Sequence, residues 1–151
     1  MANEIHADYE SGNTLYAVAR DGAAKVWYVT GQVFEDWGTG SRDADDYDIA
    51  LADKGGGRYV GDFDSSIPAG RYTMQIFLQA GANPADTDSL VGASQLIWTG
   101  SGVLTVDKIL ANKAVQNKVT GAISYYDDDG ATIILTHTPD DGASSITRTP
   151  S

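Results

Sequence analysis

Apolar and polar side chains alternate with a period of two along much of the chain, which is the pattern of half-buried β-strands. The longest example is Arg71–Ala80, RYTMQIFLQA, in which Tyr72, Met74, Ile76 and Leu78 fall on one face. Apolar runs between turn residues predict five further strands: Thr14–Arg20, Lys25–Thr30, Tyr47–Ala52, Arg58–Phe63 and Ser94–Thr99.

Residues that favour turns separate these runs and indicate how the strands connect. The dipeptide Asp21-Gly22 predicts a hairpin, and the glycines at 55–57 predict a second. The sequence IPAG reverses the chain before Tyr72, as in immunoglobulin-like domains where a tyrosine hydroxyl bonds back to nearby backbone. The N-terminal stretch EIHADYESG is a candidate edge strand. We therefore predict a mainly β protein whose residues 1–102 form an antiparallel, immunoglobulin-like β-sandwich.

The pattern changes after the stretch of glycine and serine at 100–102. Asp107–Asn117 has helical spacing and predicts a short helix, with Thr105 or Asp107 as its cap. Three short runs then predict a β-meander with two turns: strands Ala122–Tyr126, Thr132–Thr138 and Ser145–Thr149, with turns at Asp127–Gly130 and Pro139–Gly142. Residues 103–151 are therefore predicted to form a separate module of one helix and a three-stranded meander.

This module has a very small core, so it needs something to pack against. A helix of about eleven residues is marginal when it is alone in water. We expect the module to lean on the sandwich or, by preference, on neighbouring copies, because symmetric self-association would bury what it cannot bury alone. The candidate contact residues are Ile109, Leu110, Ala114, Ile133 and Leu135.

The formal net charge is −11, from 21 acidic and 10 basic residues. Fifteen of the acids and six of the bases precede Leu104, so most of the negative charge belongs to the first two-thirds. Nucleic acid is not an expected partner, because phosphate binding depends on lysine and arginine. The N-terminus lacks the pattern of a signal peptide, and no apolar run approaches the roughly 20 residues that span a bilayer. We expect a soluble protein with no membrane partner.

No group of residues points to catalysis, and we predict that the protein is not an enzyme. The absence of cysteine excludes disulfides, thiolate metal sites and a cysteine nucleophile. The two histidines, His6 and His137, fall in different predicted units. The consecutive aspartates at 127–129 lack the alternation of a calcium loop, and the acids at 43–48 are interpreted as a solvated loop. We therefore predict no cofactor and no metal.

The aromatic residues leave one alternative open. Trp27 and Trp37 could stack on sugar rings, which would make the protein a carbohydrate-binding module. Packing in a core or an interface is the simpler interpretation, because tryptophan is mostly buried in small domains.

Several segments of the chain resemble proteins that build the virions of tailed bacteriophages. Four segments resemble a β-sandwich module of phage structural proteins: SGNTLYAVARDGAAKVW, YDIALADKGGGRYVGDF, IPAGRYTMQIFLQAGANPADTDSLVG and QLIWTGS. A fifth is similar to a C-terminal module that recurs among phage proteins: ILANKAVQNKVTGAISYYDDDGATIILTHTPDDGASSITRTP. Together they cover most of the chain, and the resemblance rests on turns and strand faces.

The resemblance implies a non-enzymatic structural protein of the virion, made in the host cytoplasm. It would decorate a capsid or serve as an adaptor in a fibre, baseplate or neck. Its partners would be other capsid or tail proteins and copies of itself, in a trimer or a larger cyclic assembly. Recognition of a host-surface glycan is the alternative function. No catalytic residues carry over, because such a family has none.

Overall fold

A computed structural model of the protein describes residues 3–142 and 145–150, with side chains at 3–105 and 109–139. The chain divides into two compact units, Met1–Ser101 and Gly102–Ser151, which we call the N-terminal and C-terminal units. Both consist of antiparallel strands with short helical segments. The prediction of a mainly β protein is confirmed.

The N-terminal unit contains all six strands predicted for it, and β8 begins at Ser89 rather than Ser94. The candidate edge strand near the N-terminus is also present, as β1. A short strand, β4, and a short helix, α1, were not predicted. The strands are β1 (Ile5–Asp8), β2 (Leu15–Arg20), β3 (Val26–Tyr28), β4 (Val33–Glu35), β5 (Ile49–Asp53), β6 (Arg58–Gly61), β7 (Gly70–Leu78) and β8 (Ser89–Trp98), and α1 is Ala44–Tyr47.

Strand β2 lies at the centre of the pairing. One of its edges pairs with β7, which then pairs with β8, and the other edge pairs with β5 and β3. Strand β5 pairs with β2 through Ile49–Leu51 and with β6 through Ala52 and Asp53, and β6 pairs with β1. Strand β5 therefore connects two groups of strands. The immunoglobulin-like form of this arrangement stays a prediction.

The two faces of β2 pack into two different cores. Leu15, Ala17 and Ala19 share a face with Met74 and Ile76 of β7, and all five are buried. The opposite face packs into a second cluster under α1, made of Tyr16, Val18, Val26, Ala44 and Tyr47. Every residue of β2 except the last is buried for this reason.

Tyr72 confirms the turn predicted before β7. Its hydroxyl donates a hydrogen bond of 2.7 Å to the carbonyl oxygen of Pro68, and its ring stacks on Phe34 with centroids 5.4 Å apart. The indole N–H of Trp98 donates to the carbonyl oxygen of Ile67, at 3.0 Å. These bonds fix the loop that leads into the longest predicted strand.

The interpretation of 43–48 as a loop is wrong, because α1 lies there, although Asp43 and Asp45 are exposed to solvent. The side chain of Asp43 accepts from the backbone N–H of Asp45, and the Asp46 side chain accepts from the N–H of Asp43, both at 3.2 Å. This reciprocal capping satisfies amide groups that the first turn of a helix leaves without partners. Buried Ala44 and Tyr47 then anchor α1 on β2.

The C-terminal unit contains a four-stranded antiparallel sheet in the order β12-β11-β10-β9. Its elements are α2 (Val106–Ala111), β9 (Ala114–Gln116), β10 (Ile123–Tyr126), β11 (Ile133–Gly142) and β12 (Ser145–Pro150). The prediction of a three-stranded meander is therefore corrected: the described sheet has four strands, because β9 pairs with β10. The predicted helix was too long, since Thr105 takes the N-cap position but the helix ends at Ala111.

Hydrogen bonds to β10 explain why the helix stops early. The side-chain amide of Asn112 donates to the carbonyl oxygen of Tyr126 at 3.3 Å. The backbone N–H of Tyr126 donates to the carbonyl oxygen of Lys113 at 3.0 Å. The segment beyond Asn112 therefore bonds across the sheet and becomes β9.

Of the two predicted turns, the first is confirmed and the second is wrong. Around Asp127–Gly130, the N–H of Asp127 donates to the carbonyl oxygen of Thr132 at 2.8 Å, and Gly130 has φ 64°. The residues Pro139–Gly142 belong to β11 instead, and Pro139 pairs with Arg148 of β12. The pairing of β10 with β11 ends at His137. At Pro139, the edge of β11 that faces β10 therefore has no pairing with β10, and a proline is tolerated there.

Candidate functional site

The five predicted contact residues lie in α2 and in the sheet of the C-terminal unit. Leu110 is 79% exposed and Ile133 is 51% exposed. Ala114 is also exposed, whereas Ile109 and Leu135 are half-buried. Three of the five residues are thus open to solvent.

The strand register distributes these residues over both faces of the sheet. Ala114 pairs with Tyr125, which pairs with Leu135, so these three share one face. Ile133 pairs with Tyr126 and therefore faces the other way. The predicted residues do not form a single patch.

Two exposed apolar residues of the same unit were missed from the sequence. Val115 is 43% exposed on β9, and Val119 is 95% exposed in the turn that follows it. The side chain of Asn117 accepts from the N–H groups of Val119 and Thr120, at 2.9 and 3.2 Å, which fixes that turn. The sequence did contain a signal for Val119, because it lies between Asn117 and Gly121, two residues that favour turns. A side chain in a turn has no core to pack into, so an apolar residue there is expected to be exposed.

The aspartates at 127–129 form hydrogen bonds within the turn rather than converging on one point. Asp129 accepts from the N–H groups of Ala131 and Thr132, both at 2.8 Å, and from the Thr132 hydroxyl at 2.6 Å. Asp128 accepts from the side-chain amide of Asn112 at 2.8 Å. Within the described residues, no group of three acidic or histidine side chains is arranged to hold a metal ion.

The two histidines lie in different units. His6 is exposed on β1, where it pairs with Val60. His137 is half-buried on β11 and meets the edge of the Tyr125 ring, with centroids 5.6 Å apart. Each is a strand residue, as expected for His137.

The two tryptophans proposed as glycan contacts occupy different environments. Trp27 is 2% exposed, and its indole N–H donates a 2.9 Å hydrogen bond to the carboxylate of Asp64, so its ring is not available to a sugar. Trp37 is half-buried against the ring of Tyr47, and the Arg20 guanidinium lies 5.1 Å from its centroid. Only Trp37 retains exposed surface with which to stack on a ligand.

An ion pair holds the segment that carries Trp37. The guanidinium of Arg42 donates two hydrogen bonds to the Glu35 carboxylate and also lies 4.0 Å from the centroid of the Tyr28 ring. These hydrogen bonds lower the pKa of Glu35 and raise that of Arg42. The Tyr47 hydroxyl donates to the same carboxylate at 3.0 Å, and burial raises the pKa of Tyr47.

The buried carboxylate of Asp88 ties the loop between β7 and β8 to the sheet. It accepts from the N–H groups of Ala80 and Ala85, at 3.0 and 2.9 Å, and from the Tyr16 hydroxyl at 3.2 Å. The backbone hydrogen bond from Ala80 is the largest cause of the lowered pKa of Asp88. Burial, with Asp88 nearby, raises the pKa of Tyr16.

A groove of about 220 Å³ lies between β1 and β8 in the N-terminal unit. Leu15 and Ile76 form part of its wall, and β8 contributes the small residues Gly92, Ala93 and Ser94. The polar side chains at its rim include His6 and Asp8. Small residues therefore make up most of the wall that β8 contributes to the groove.

Comparison of the chain with protein-family models, with curated proteins and with solved structures finds no match. In the described part of the chain, no helix is long and apolar enough to cross a bilayer. The geometry of the two units and the sequence itself must therefore support any proposal about function.

Proposed function

We propose that this protein is a non-enzymatic structural protein of a tailed-phage virion, and that its C-terminal unit attaches it to neighbouring subunits. One observation carries the attachment: four large apolar side chains are exposed on the described part of that small unit. They are Leu110, Val115, Val119 and Ile133.

The size of this apolar surface sets the kind of assembly it supports. Moving a leucine, valine or isoleucine side chain fully out of water contributes about 1.5–3 kcal/mol. Association costs an estimated 4–15 kcal/mol in lost freedom, so a single contact of this size is weak. A subunit that makes two or more such contacts in a ring or on a particle gains from effective concentration. Repeated contacts of modest strength fit a virion protein with many copies.

The distribution of charge favours contacts through the same unit. The C-terminal unit contains six acidic and four basic residues, whereas the N-terminal unit contains fifteen and six. Copies of the N-terminal unit repel one another more strongly as a result. The nearly balanced unit is therefore the one at which copies approach with the least electrostatic penalty.

The virion setting rests on the resemblance of the segments quoted above to phage structural modules. The resemblance allows capsid decoration and adaptor positions in a fibre, baseplate or neck. It also implies that the partners are capsid or tail proteins together with further copies of this chain. The four exposed side chains support a contact through the C-terminal unit.

Incorporation into particles tests both parts of this proposal. Particles from cells that make the protein are purified and analysed by mass spectrometry, and cryo-electron microscopy locates the bound copies. We expect the unaltered protein in the particles and loss of a variant carrying Leu110→Ser and Ile133→Ser. Val33→Ser is the matched control, because Val33 is 48% exposed on the N-terminal unit, and it should be retained.

Two results would contradict the proposal. Absence of the unaltered protein from purified particles would refute the virion setting. Retention of the double variant at the level of the control would refute attachment through the exposed residues of the C-terminal unit.

The carbohydrate-binding alternative now depends on Trp37 alone, because Trp27 is buried. Its half-buried ring is already engaged by Arg20 and Tyr47. We therefore place this function second.

A further inference from the structure

Strand β8 has a free edge along its ten residues. Among the described strands it pairs only with β7, and six of its residues are exposed. They are Ser89, Leu90, Ala93, Ser94, Gln95 and Ile97. Its other edge therefore leaves a row of main-chain N–H and C=O groups for another strand to pair with.

The side chains of β8 do not protect this edge. Soluble proteins usually place lysine, other charges or proline on an edge strand to prevent pairing. The segment SLVGASQLIW contains no charged residue and no proline, in a chain whose net charge is −11. Two copies can therefore bring this strand together without placing like charges opposite each other.

An irregularity in β8 places its two large exposed apolar side chains on one face. Gly92 pairs with Ile76 and Leu90 pairs with Phe77, so Val91 is an extra residue that forms a bulge. Without it, Leu90 and Ile97 would face opposite sides of the sheet, because they are seven positions apart. With it, both lie on the same face as Ala93 and Gln95.

These positions are symmetric about Ser94 when Leu90 and the bulged Val91 together count as one position, as they do in the pairing of β8 with β7. When β8 is placed antiparallel to itself with Ser94 opposite Ser94 of a second copy, Ala93 lies opposite Gln95. Leu90 then lies opposite Ile97 at both ends of the pair. Every large apolar side chain exposed on β8 thereby meets an apolar partner, and this self-complementarity indicates which strand the edge fits.

We infer that β8 pairs antiparallel with β8 of a second copy, about a two-fold axis at Ser94. The contact is isologous and joins two N-terminal units into one continuous sheet. On the order of ten main-chain hydrogen bonds form across it, as expected for an antiparallel pair of this length. It is separate from the C-terminal contact and does not depend on the proposed function.

A cysteine cross-link tests the register directly, because the chain contains no cysteine of its own. Residues directly opposite in an antiparallel pair have Cα atoms about 4.5–5.5 Å apart, which a disulfide can span. Ser94→Cys should therefore give a covalent dimer of the full-length protein on mild oxidation. Ser89→Cys is the matched control, since the two copies of that position would be roughly 27 Å apart at about 3.4 Å per residue.

The cross-link is read on a non-reducing gel and by intact mass. Dimer from Ser94→Cys and little from Ser89→Cys supports the pairing. Equal dimer from both variants means random collision and overturns it, as does no dimer from either. The dimer should also form when Leu110→Ser and Ile133→Ser are present, and its loss there would overturn the independence of this contact.

An equilibrium measurement provides a second, independent test. Ser94→Lys places two ammonium groups opposite each other at the axis, so sedimentation equilibrium in the Leu110→Ser/Ile133→Ser background should show loss of the dimer. Val33→Lys, on edge strand β4, should leave the dimer unchanged in that background. A dimer that persists with Ser94→Lys would overturn the inference.

Discussion

The guanidinium of Arg42 donates two parallel hydrogen bonds of 2.7 Å to the carboxylate of Glu35. The same guanidinium also lies 4.0 Å from the centroid of the Tyr28 ring. The Tyr47 hydroxyl reaches the same carboxylate. This group closes the segment 36–47 over the face of β2 that carries Tyr16 and Val18.

Replacing Arg42 with lysine should loosen this segment without unfolding the protein. Lysine cannot supply the planar fork that binds a carboxylate at two points, nor stack in the same way on an aromatic ring. We expect faster amide hydrogen exchange at 38–47 and unchanged exchange in β7. Arg71→Lys, at an exposed position on β7, is the control. Unchanged exchange at 38–47 would show that the ion pair does not hold the segment.

Removing the Tyr72 hydroxyl should destabilise the N-terminal unit. Tyr72→Phe keeps the ring contacts with Phe34 and Phe63 but removes the hydrogen bond to the carbonyl oxygen of Pro68. A bond of this kind contributes about 0.5–1.5 kcal/mol. Chemical denaturation should show a loss of that order. A loss near zero would mean that the tyrosine acts only through its ring.

Acid should destabilise the protein partly through Asp88. Its pKa is lowered in the folded state, so the unfolded chain binds more protons as the pH falls. This contribution is fully present above the ordinary pKa of aspartate, about 3.9, and is lost as the pH falls through the folded value. Asp88→Asn should reduce the pH dependence of the unfolding free energy below about pH 4.

The two tryptophans should respond differently to mutation. Trp27→Ala removes a buried ring and should cost about 3–5 kcal/mol of stability, as measured by denaturation. Trp37→Ala should cost less, because Trp37 is only half-buried. We expect no binding on a glycan array with the unaltered protein. Binding that disappears on Trp37→Ala would favour the carbohydrate-binding function instead.

The strands of the N-terminal unit could be predicted because their signals are local. The alternation in Arg71–Ala80 and the turn before Tyr72 depend on neighbours a few residues away. The glycines at 55–57 all have positive φ, between 66° and 85°, which explains why that hairpin was visible. Helix α1 was missed although the spacing of Asp43 and Asp46 carried a capping signal, because acidic residues are abundant throughout this chain.

The C-terminal unit was harder to predict because distant partners decide its structure. The segment Ala114–Gln116 has helical spacing with the residues before it, yet it pairs with residues of β10 that come seven to eleven positions later. Periodicity does not reveal such pairing. The sequence also could not show which face of the sheet each contact residue occupies. A bulge in the pairing of β10 with β11 puts Ile133 and Leu135 on opposite faces.

Sedimentation velocity over a range of concentrations tests the central claim, that exposed apolar side chains of the C-terminal unit join copies of the protein. We predict that the unaltered protein forms species larger than a dimer as its concentration rises. The variant with Leu110→Ser and Ile133→Ser should form nothing larger than a dimer, while Val33→Ser behaves like the unaltered protein. A monomer at every concentration, or a double variant that sediments like the unaltered protein, would contradict this account.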